Sequence, residues 1–351
     1  MHLQDLRLRR SEMAKLRIGV IGLGMASAPH AKSLLDLKDR VEVAAAYSPT
    51  PARRKAFSEA YGFPVCDSAE TIFDDPSITA VMILTPPNTH LDLTRRAAEA
   101  GKHVLLEKPL EIAEVRARAL VEAAERAGVK LGIVLQHRFR PVSEALAGLI
   151  SEGRLGEIVS ASARLDNWRP QSYYDQPGRG TRARDGGGVL LTQAIHTLDL
   201  LISLAGLPEE VKAYATTSKV HRMETEDLAM AAIRFPGGAI GTVSATTCAY
   251  PGHPDEIDII GTRGMVRLGG RSLVASFHDG TELSIEDEAA GGAGADPMAF
   301  PHHHHRAVLT DFLGSVEDGR EPRVNGREAL KVHRLIDAIL SAAASGEPRR
   351  P

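Results

Sequence analysis

Lys108 is the first of two side chains that we consider as catalytic candidates. It belongs to Glu107-Lys108-Pro109, directly after an apolar run typical of a buried strand. A lysine in this position can donate a hydrogen bond to a substrate oxygen and stabilise the charge that develops on it. The alternative is a surface lysine in a turn. We favour the first interpretation, because ligands bind at the carboxyl ends of strands in open α/β sheets.

His196 is the second candidate, in the run RDGGGVLLTQAIHTLDLL. Spacings of four and three predict that Thr192, His196 and Asp199 lie on one face of a single helix, from about Val189 to Leu204. Asp199 could orient the imidazole, or it could form an ion pair at the helix surface. A lone histidine on an apolar helix is more often structural, but this helix opens from a glycine-rich loop that could approach a ligand.

A glycine turn stands at the start of the chain, in GVIGLGMASAPH. Gly22 permits a tight turn after a strand, and Gly24 lets the backbone approach a pyrophosphate at the N-terminus of the next helix. Ser27 occupies the third position of this glycine pattern. Because a strand precedes the turn and a helix follows it, we predict a dinucleotide site with contacts from Gly22, Gly24, Met25 and Ala26.

The end of the second predicted strand bears on the choice of cofactor. An acidic residue there normally binds the adenosine ribose, but this chain has Ser48, followed by Arg53 and Arg54. A serine with an arginine accepts a 2′-phosphate that a carboxylate would repel. The sequence therefore favours NADP over NAD, with Ser48 and Arg53 as contacts. The alternative is that both arginines are solvated positions at a helix start.

Two further strand ends should supply cofactor contacts. The loop after the third strand is TPPNTH, and its two prolines leave hydroxyls and an amide to face the cofactor. His90 could instead cap the next helix. The expected contacts from these strand ends are Thr85, Pro86, Asn88, His90, Glu107 and Lys108.

The long loop before the His196 helix is rich in arginine and aromatic residues, which suits an anionic or phosphorylated hydroxylated ligand. The alternative is a loop that packs on a neighbouring subunit. The candidates are Arg164, Trp168, Arg169, Tyr173, Tyr174, Arg179 and Arg184. The expected substrate contacts of the whole chain are Arg138, Trp168, Arg169, Tyr174, Arg184, Thr192, Gln193 and Asp199.

The elements that position these residues fall into two groups. Strand signals near 16–21, 41–47, 80–84, 103–106 and 131–135 alternate with helix signals, which predicts a doubly wound parallel sheet over residues 15–140. Hairpin turns such as Pro236-Gly237-Gly238 then predict an α+β domain with a large, mostly antiparallel open sheet over residues 141–351. Residues 1–14 are expected to be a flexible leader, and the last helix could pack on the first domain.

Composition excludes several classes of function. The chain has 351 residues, 43% of them apolar, and a net charge of −3. This charge gives no case for binding nucleic acid or an anionic membrane, and no apolar run has the length of a membrane span. Cys66 and Cys248 form neither a disulfide framework nor a metal cluster, so a reducing cytoplasm is expected. No metal is expected at His302 to His305, although one or two of these residues could reach the active-site crevice.

Several of these motifs together resemble the Gfo/Idh/MocA family, named for glucose-fructose oxidoreductase and inositol dehydrogenase. They are GLGMASAPH, TPPNTH, GKHVLLEKP, the GGG…H…D segment and DFLGSVEDGREP. The resemblance implies a Rossmann domain, a second domain whose open sheet often builds dimers or tetramers, and NAD(P)-dependent chemistry at a sugar or polyol carbon. By position, it makes Lys108 the catalytic lysine and His196 the acid/base.

One position departs from the family pattern. Inositol dehydrogenase-like members carry Asp where this chain has Thr192, so a Lys–Asp–His relay is reduced to Lys108 and His196. Thr192-Gln193 is closer to the Asn-Gln of branches that resemble UDP-sugar uronate dehydrogenases. The expected function is hydride transfer between nicotinamide and a hydroxyl or keto carbon of a sugar, sugar derivative or cyclitol, in a homodimer or homotetramer. The alternatives are an NAD-dependent glycosidase of the same family and a non-catalytic dinucleotide-sensing regulator.

Overall fold

The computed structural model describes residues 15–287 and 302–351 of the chain. The expected leader, residues 1–14, lies outside the described residues. No helix in the described ranges is both long and apolar enough to cross a membrane.

The first sheet has five parallel strands in the order β2-β1-β3-β4-β5. The strands are β1 Leu16–Ile21, β2 Val41–Tyr47, β3 Ala80–Ile83, β4 His103–Glu107 and β5 Leu131–Val134. Every residue of β3 and β5 is buried, as expected for strands of a parallel sheet covered on both faces. The prediction of a doubly wound parallel sheet is confirmed.

Helices connect these strands. They are α1 Ser27–Asp36, α2 Pro51–Tyr61, α3 Glu70–Asp74, α4 His90–Glu99 and α5 Glu114–Arg126. Short 3-10 turns, Pro87–Thr89 and Gln136–Phe139, follow β3 and β5. The sequence did not predict α3, which is only five residues long and too short for a periodic apolar pattern.

The second sheet has eight strands in the order β13-β12-β11-β10-β6-β9-β8-β7. Its strands are β6 Ile158–Asp166, β7 Glu210–Thr216, β8 Leu228–Arg234, β9 Ile240–Thr246, β10 Glu256–Gly261, β11 Gly264–Gly269, β12 Ser272–Phe277 and β13 Glu282–Glu286. All neighbouring pairs are antiparallel except β6 with β9. The predicted large, mostly antiparallel sheet is confirmed, and β13 was not foreseen.

The helices of this part are α6 Pro141–Ser151, α7 Gln171–Tyr174, α8 Val189–Thr192, α9 Ile195–Ala205, α10 His303–Asp318 and α11 Gly326–Ser345. The prediction of one helix from Val189 to Leu204 was wrong. The chain breaks at Gln193, and the amide of Ala194 donates to the carbonyl of Val189 five residues back, at 2.8 Å. Thr192 and His196 therefore lie on separate helical segments.

The last segment of the chain joins the two sheets. The amide of Ile133 in β5 donates to the carbonyl of Val324 at 2.9 Å, and Asn325 bridges to Gly132. Helix α11 then packs on α5 and also on β7 of the second sheet. The end of the chain thus holds the carboxyl edge of the first sheet against the helices α8 and α9.

Candidate active site

The glycine turn after β1 has the geometry of a phosphate-binding turn. Gly22 has φ 105°, and a Cβ atom there would lie 2.6 Å from the carbonyl carbon of Leu84. A Cβ on Gly24 would meet no atom within 4 Å, so open space adjoins the backbone at the start of α1. Ser27 Oγ donates to the carbonyl of Gly24 at 2.7 Å and fixes the turn. These features fit the close approach of a dinucleotide pyrophosphate.

Ser48 and the arginines of α2 lie at the end of β2. Ser48 is buried, its Oγ accepts from the amide of Thr50 at 3.4 Å, and its carbonyl accepts from Arg54 Nη1 at 2.8 Å. Arg54 also pairs with Asp67 at 2.7 Å. Arg53 is exposed and its side chain makes no ion pair or hydrogen bond with the described residues. Of the two arginines, only Arg53 is available to a ligand.

His90 links two loops through both of its ring nitrogens, in place of the expected cofactor contact. It is fully buried; its Nε2 lies 2.8 Å from the carbonyl of Thr85, and its Nδ1 lies 2.9 Å from that of Pro109. Burial lowers the pKa of its imidazole. Thr85 Oγ1 and Thr89 Oγ1 lie 2.7 Å apart in the same loop, where Asn88 is half-buried and Pro86 exposed.

Glu107 was expected to contact the cofactor, but both of its carboxylate oxygens have partners within the protein. Its Oε1 lies 2.7 Å from His30 Nε2, and its Oε2 accepts from the amide of Lys108 at 3.0 Å. The His30 ring meets the edge of the His305 ring at 5.1 Å, and all three side chains are buried. Glu107 therefore ties α1 and α10 to the end of β4. His305 is the member of the histidine run that reaches the interior, whereas His302 pairs with Asp36.

Lys108 and His196 come together from different parts of the chain. Lys108 Nζ donates to the carbonyl of Thr192 at 2.9 Å, at the break that precedes α9. His196 is buried, and no group among residues 15–287 and 302–351 hydrogen-bonds either of its ring nitrogens. Burial, followed by the charges of Lys108 and Arg140, holds the pKa of His196 well below its ordinary value. The imidazole is therefore neutral and free to accept a proton.

His137 is a site residue that the sequence analysis missed. Its ring stacks on His196 with centroids 4.8 Å apart, and its Nε2 is hydrogen-bonded to Arg140. Asp255 lies 3.5 Å from His137 Nδ1 and accepts from Thr197 Oγ1 at 2.9 Å. His137 lies in the short 3-10 turn that follows β5, so the rule that polar residues at strand ends face the site would have found it.

Arg138 and Asp199 are bound to each other, which corrects both of their expected roles. Arg138 Nε and Nη2 donate to the two oxygens of Asp199 at 2.8 and 2.6 Å, and Glu328 lies 3.3 Å from Nη1. Both side chains are buried. Asp199 therefore does not orient His196, and Arg138 has no free edge for a substrate. The pair joins the turn after β5 to α9.

Thr192 and Gln193 also interact with each other. Thr192 Oγ1 donates to the carbonyl of Gly188 at 2.6 Å and lies close to Gln193 Oε1. Thr192 thus reaches the site through its backbone carbonyl, which accepts from Lys108, rather than through its hydroxyl. Gln193 is half-buried beside it.

The long loop between β6 and α8 divides into structural and accessible residues. Tyr174 is buried with its hydroxyl 2.8 Å from Thr247 Oγ1, so it is not the expected substrate contact; burial raises its pKa to about 12. Arg184 pairs with Asp185 at 3.0 Å. Trp168 is half-buried with its ring edge-on to Tyr250. Arg164 is paired with Asp166 on the exposed side of β6.

Arg169 and Arg179 behave differently from the other arginines of the loop. Both lie over the ring of Tyr173, with Cζ 5.6 and 5.0 Å from its centroid. Burial lowers the pKa of Lys108 below its usual value, Glu107 opposes this, and the charges of Arg179 and Arg169 reinforce it. The charges of these two guanidinium groups therefore act on Lys108.

The sequence is similar to proteins of known function. A family described as "Oxidoreductase family, NAD-binding Rossmann fold" matches residues 16–134, and the "GFO/IDH/MocA C-terminal domain" matches residues 144–267. Inositol 2-dehydrogenase of Rhizobium meliloti is 28% identical over 94% of this chain and 97% of its own. D-xylose 1-dehydrogenase (NADP(+)) 2 of Haloferax volcanii is 28% identical over 94% of this chain and 97% of its own.

A solved structure shows the same relationship. The WlbA dehydrogenase of Bordetella pertussis, in complex with NADH and UDP-GlcNAcA, has a TM-score of 0.83 and 30% identity, over 96% of this chain and 99% of its own. The two family matches cover both parts of the fold on either side of residue 140. The chain therefore belongs to the Gfo/Idh/MocA family of oxidoreductases, with an NAD-binding Rossmann fold in its N-terminal part.

Proposed function

We propose that the protein transfers hydride between a nicotinamide ring and a hydroxyl or keto carbon of a sugar, sugar derivative or cyclitol. The observation that carries this proposal is the meeting of Lys108 with the α8–α9 break, through a 2.9 Å bond to Thr192. Four residues further on lies the neutral imidazole of His196, which no group of the described residues hydrogen-bonds. Relatives that act on inositol and xylose support the substrate class.

Each residue has a defined task in the oxidation direction. His196 accepts the proton of the substrate hydroxyl, and Lys108 donates a hydrogen bond that stabilises the developing alkoxide. His137 supports the plane of the His196 ring by stacking on it. The nicotinamide supplies the hydride acceptor when bound. In the reduction direction, protonated His196 returns the proton to the substrate oxygen.

We propose that the cofactor is NADP. Residues of the first sheet would hold it: the turn of Gly22 and Gly24 the pyrophosphate, and Ser48 with Arg53 the 2′-phosphate. No carboxylate stands at the end of β2 to repel that phosphate, and Arg53 is exposed with no acidic partner in the described part of the chain. Residues 15–140 would then be the cofactor domain and residues 141–351 the substrate and oligomerisation domain.

We also propose a homodimer or homotetramer, assembled through the open face of the second sheet. Tyr214 and Met230 face each other across β7 and β8 on that face and are 87% and 54% exposed. Large exposed apolar side chains in neighbouring positions mark interaction surfaces. Cys66 and Cys248 are free thiols, which suits the cytoplasm as the compartment we propose.

The proposed reaction is tested by incubating the protein with excess NADP⁺ and a panel of free sugars and cyclitols, and following cofactor absorbance over many turnovers. A dehydrogenase accumulates reduced cofactor with at least one member of the panel. Bond cleavage without a net cofactor change would indicate a glycosidase instead. Equal rates in the wild type and the Lys108→Ala/His196→Ala double variant would overturn the assignment of these residues.

A further inference from the structure

Arg169 and Arg179 are two cations that pair with no carboxylate in the described part of the chain. Within residues 15–287 and 302–351, Arg169 Nη1 donates only to the carbonyl of its neighbour Trp168, at 2.9 Å, and its buried Nε has no hydrogen-bond partner. Arg179 forms no ion pair with any carboxylate of residues 15–287 and 302–351, and both side chains are half-buried. A buried guanidinium nitrogen without an acceptor costs free energy unless a ligand supplies one.

The carboxylates of the same loop are already occupied. Asp166 pairs with Arg164, and Asp185 pairs with Arg184 while also accepting from the amide of Gly180 at 3.0 Å. Asp175 accepts from Gln171 at 2.8 Å. Arg164 and Arg184 are therefore neutralised by neighbouring carboxylates, whereas Arg169 and Arg179 carry half-buried positive charges that no carboxylate of the described residues pairs.

The two arginines are held in place by rigid neighbours. The backbone carbonyl of Arg169 lies 2.8 Å from His221 Nε2, and His221 Nδ1 lies 2.8 Å from Asp227. Both guanidinium groups lie over the ring of Tyr173. A charged group that is fixed before a ligand arrives loses less entropy when it binds.

We propose that Arg169 and Arg179 form a subsite for an anionic group, a carboxylate or a phosphate ester, carried by the sugar that reacts at Lys108 and His196. This inference rests on the proposed function and names its substrate class. Arginine binds both groups through paired, charge-assisted hydrogen bonds. An anion at this place also offsets the positive field that acts on Lys108.

Trp168 provides a direct binding signal, because it is the sole tryptophan of the chain and adjoins Arg169. Protein saturated with NADP⁺ is titrated at constant ionic strength with D-glucose, D-glucuronate, D-glucose 6-phosphate and inorganic phosphate, and tryptophan fluorescence is recorded. At least one anionic probe should bind at least about tenfold more tightly than glucose. Glucuronate and glucose 6-phosphate distinguish a carboxylate site from a phosphate site.

Variants of the two arginines test whether the anionic probe binds at the proposed subsite. Arg169→Gln and Arg179→Gln should each weaken the preferred anion about tenfold, while the affinity for NADP⁺ stays within about twofold. Arg182→Gln is the matched control, since Arg182 is an exposed arginine of the same loop and should change neither affinity. A smaller loss in both subsite variants than in the control would overturn the subsite.

The outcome is separable from that of the proposed function. No saturable response to any anionic probe, or equal affinity for glucuronate, glucose 6-phosphate and glucose, removes the anionic subsite. Turnover of neutral sugars in the cofactor assay would then still support the dehydrogenase. Tight anion binding with no turnover of any sugar in either charge class would instead retain the subsite and contradict the proposed reaction.

Discussion

The imidazole rings of His137 and His196 stack with their centroids 4.8 Å apart and their planes 25° apart. The pKa of each ring is held well below its ordinary value, first by burial; the charge of Arg140 follows at His137, and the charges of Lys108 and then Arg140 follow at His196. Two neutral rings can stack at this distance without the repulsion that two imidazolium ions would suffer. The arrangement therefore keeps His196 at neutral pH in its neutral form, which is the form that can accept a proton.

The pH dependence of oxidation should reflect this environment. His196 is active as a base above its pKa. As the pH is lowered, log(kcat/KM) should therefore stay level through pH ~6.5, where an ordinary histidine titrates, and should begin to fall only at a more acidic pH. Arg140→Gln removes a charge that lowers the pKa of His196 and should move this acid limb to higher pH. Arg154→Gln, over the distant Phe277 ring, is the control. An unmoved limb in Arg140→Gln would show that His196 is not the titrating base.

Lys108→Ala should reduce kcat by about a hundredfold or more, because the alkoxide loses its charged hydrogen-bond donor. The affinity for NADPH, measured by fluorescence titration, should remain nearly unchanged. Lys38→Ala, which removes an exposed lysine after α1, should leave both quantities unchanged. If Lys108→Ala loses cofactor binding instead, then Lys108 is a cofactor contact and the assignment of catalysis to it is wrong.

The sequence predicted helices, strands and turns well wherever they depend on residues that are close together in the chain. Alternating apolar runs and helices specified the parallel sheet. Gly22 marked a turn that only glycine fits, because its φ is 105° and a Cβ atom there would clash with the backbone of Leu84. These features depend on neighbours a few residues away. That Lys108 and His196 act together could not be predicted from local spacing and followed from the resemblance to a family, because 84 residues separate Lys108 from its acceptor Thr192.

The side-chain roles that failed depend on distant partners. His90 looked like a cap or a cofactor contact, but its acceptor Pro109 comes from the next strand end, 19 residues on. Asp199 looked like the partner of His196 at a helical spacing, yet Arg138, 61 residues away, takes both of its oxygens. Periodicity predicts which face a residue occupies, but it carries no information about which segment packs against that face.

The Arg138–Asp199 pair yields a stability prediction. Asp199→Ala leaves the buried Arg138 guanidinium with Glu328 as its one acidic neighbour among the described residues and should lower the free energy of unfolding by about 3 kcal/mol, measured by denaturant titration. The double variant Arg138→Met/Asp199→Leu replaces both charges with apolar groups and should recover most of that loss. Full stability with a reduced kcat in Asp199→Ala would mean that Asp199 acts on His196 after all.

Cofactor choice is tested at the end of β2. Ser48→Asp introduces a carboxylate beside the place proposed for the 2′-phosphate, so the ratio of kcat/KM for NADP over NAD should fall at least about tenfold. Arg53→Gln should act in the same direction by removing the accessible cation. Arg54→Gln would not test the same point, because Arg54 already donates to the carbonyl of Ser48 and pairs with Asp67. An unchanged ratio in both variants would contradict the proposal that these residues bind a 2′-phosphate.

The open sheet face yields the last prediction. Tyr214 and Met230 are opposed in register on β7 and β8, so their side chains form one exposed apolar surface. Tyr214→Lys/Met230→Lys places two charges on it and should reduce the mass measured by sedimentation equilibrium toward that of one chain. Val220→Lys, at an exposed position outside the strands, is the control. Because the catalytic groups lie on the other side of this sheet with α9, the dissociated variant should still bind NADPH. A wild-type protein that sediments as a monomer at micromolar concentration would contradict assembly through this face.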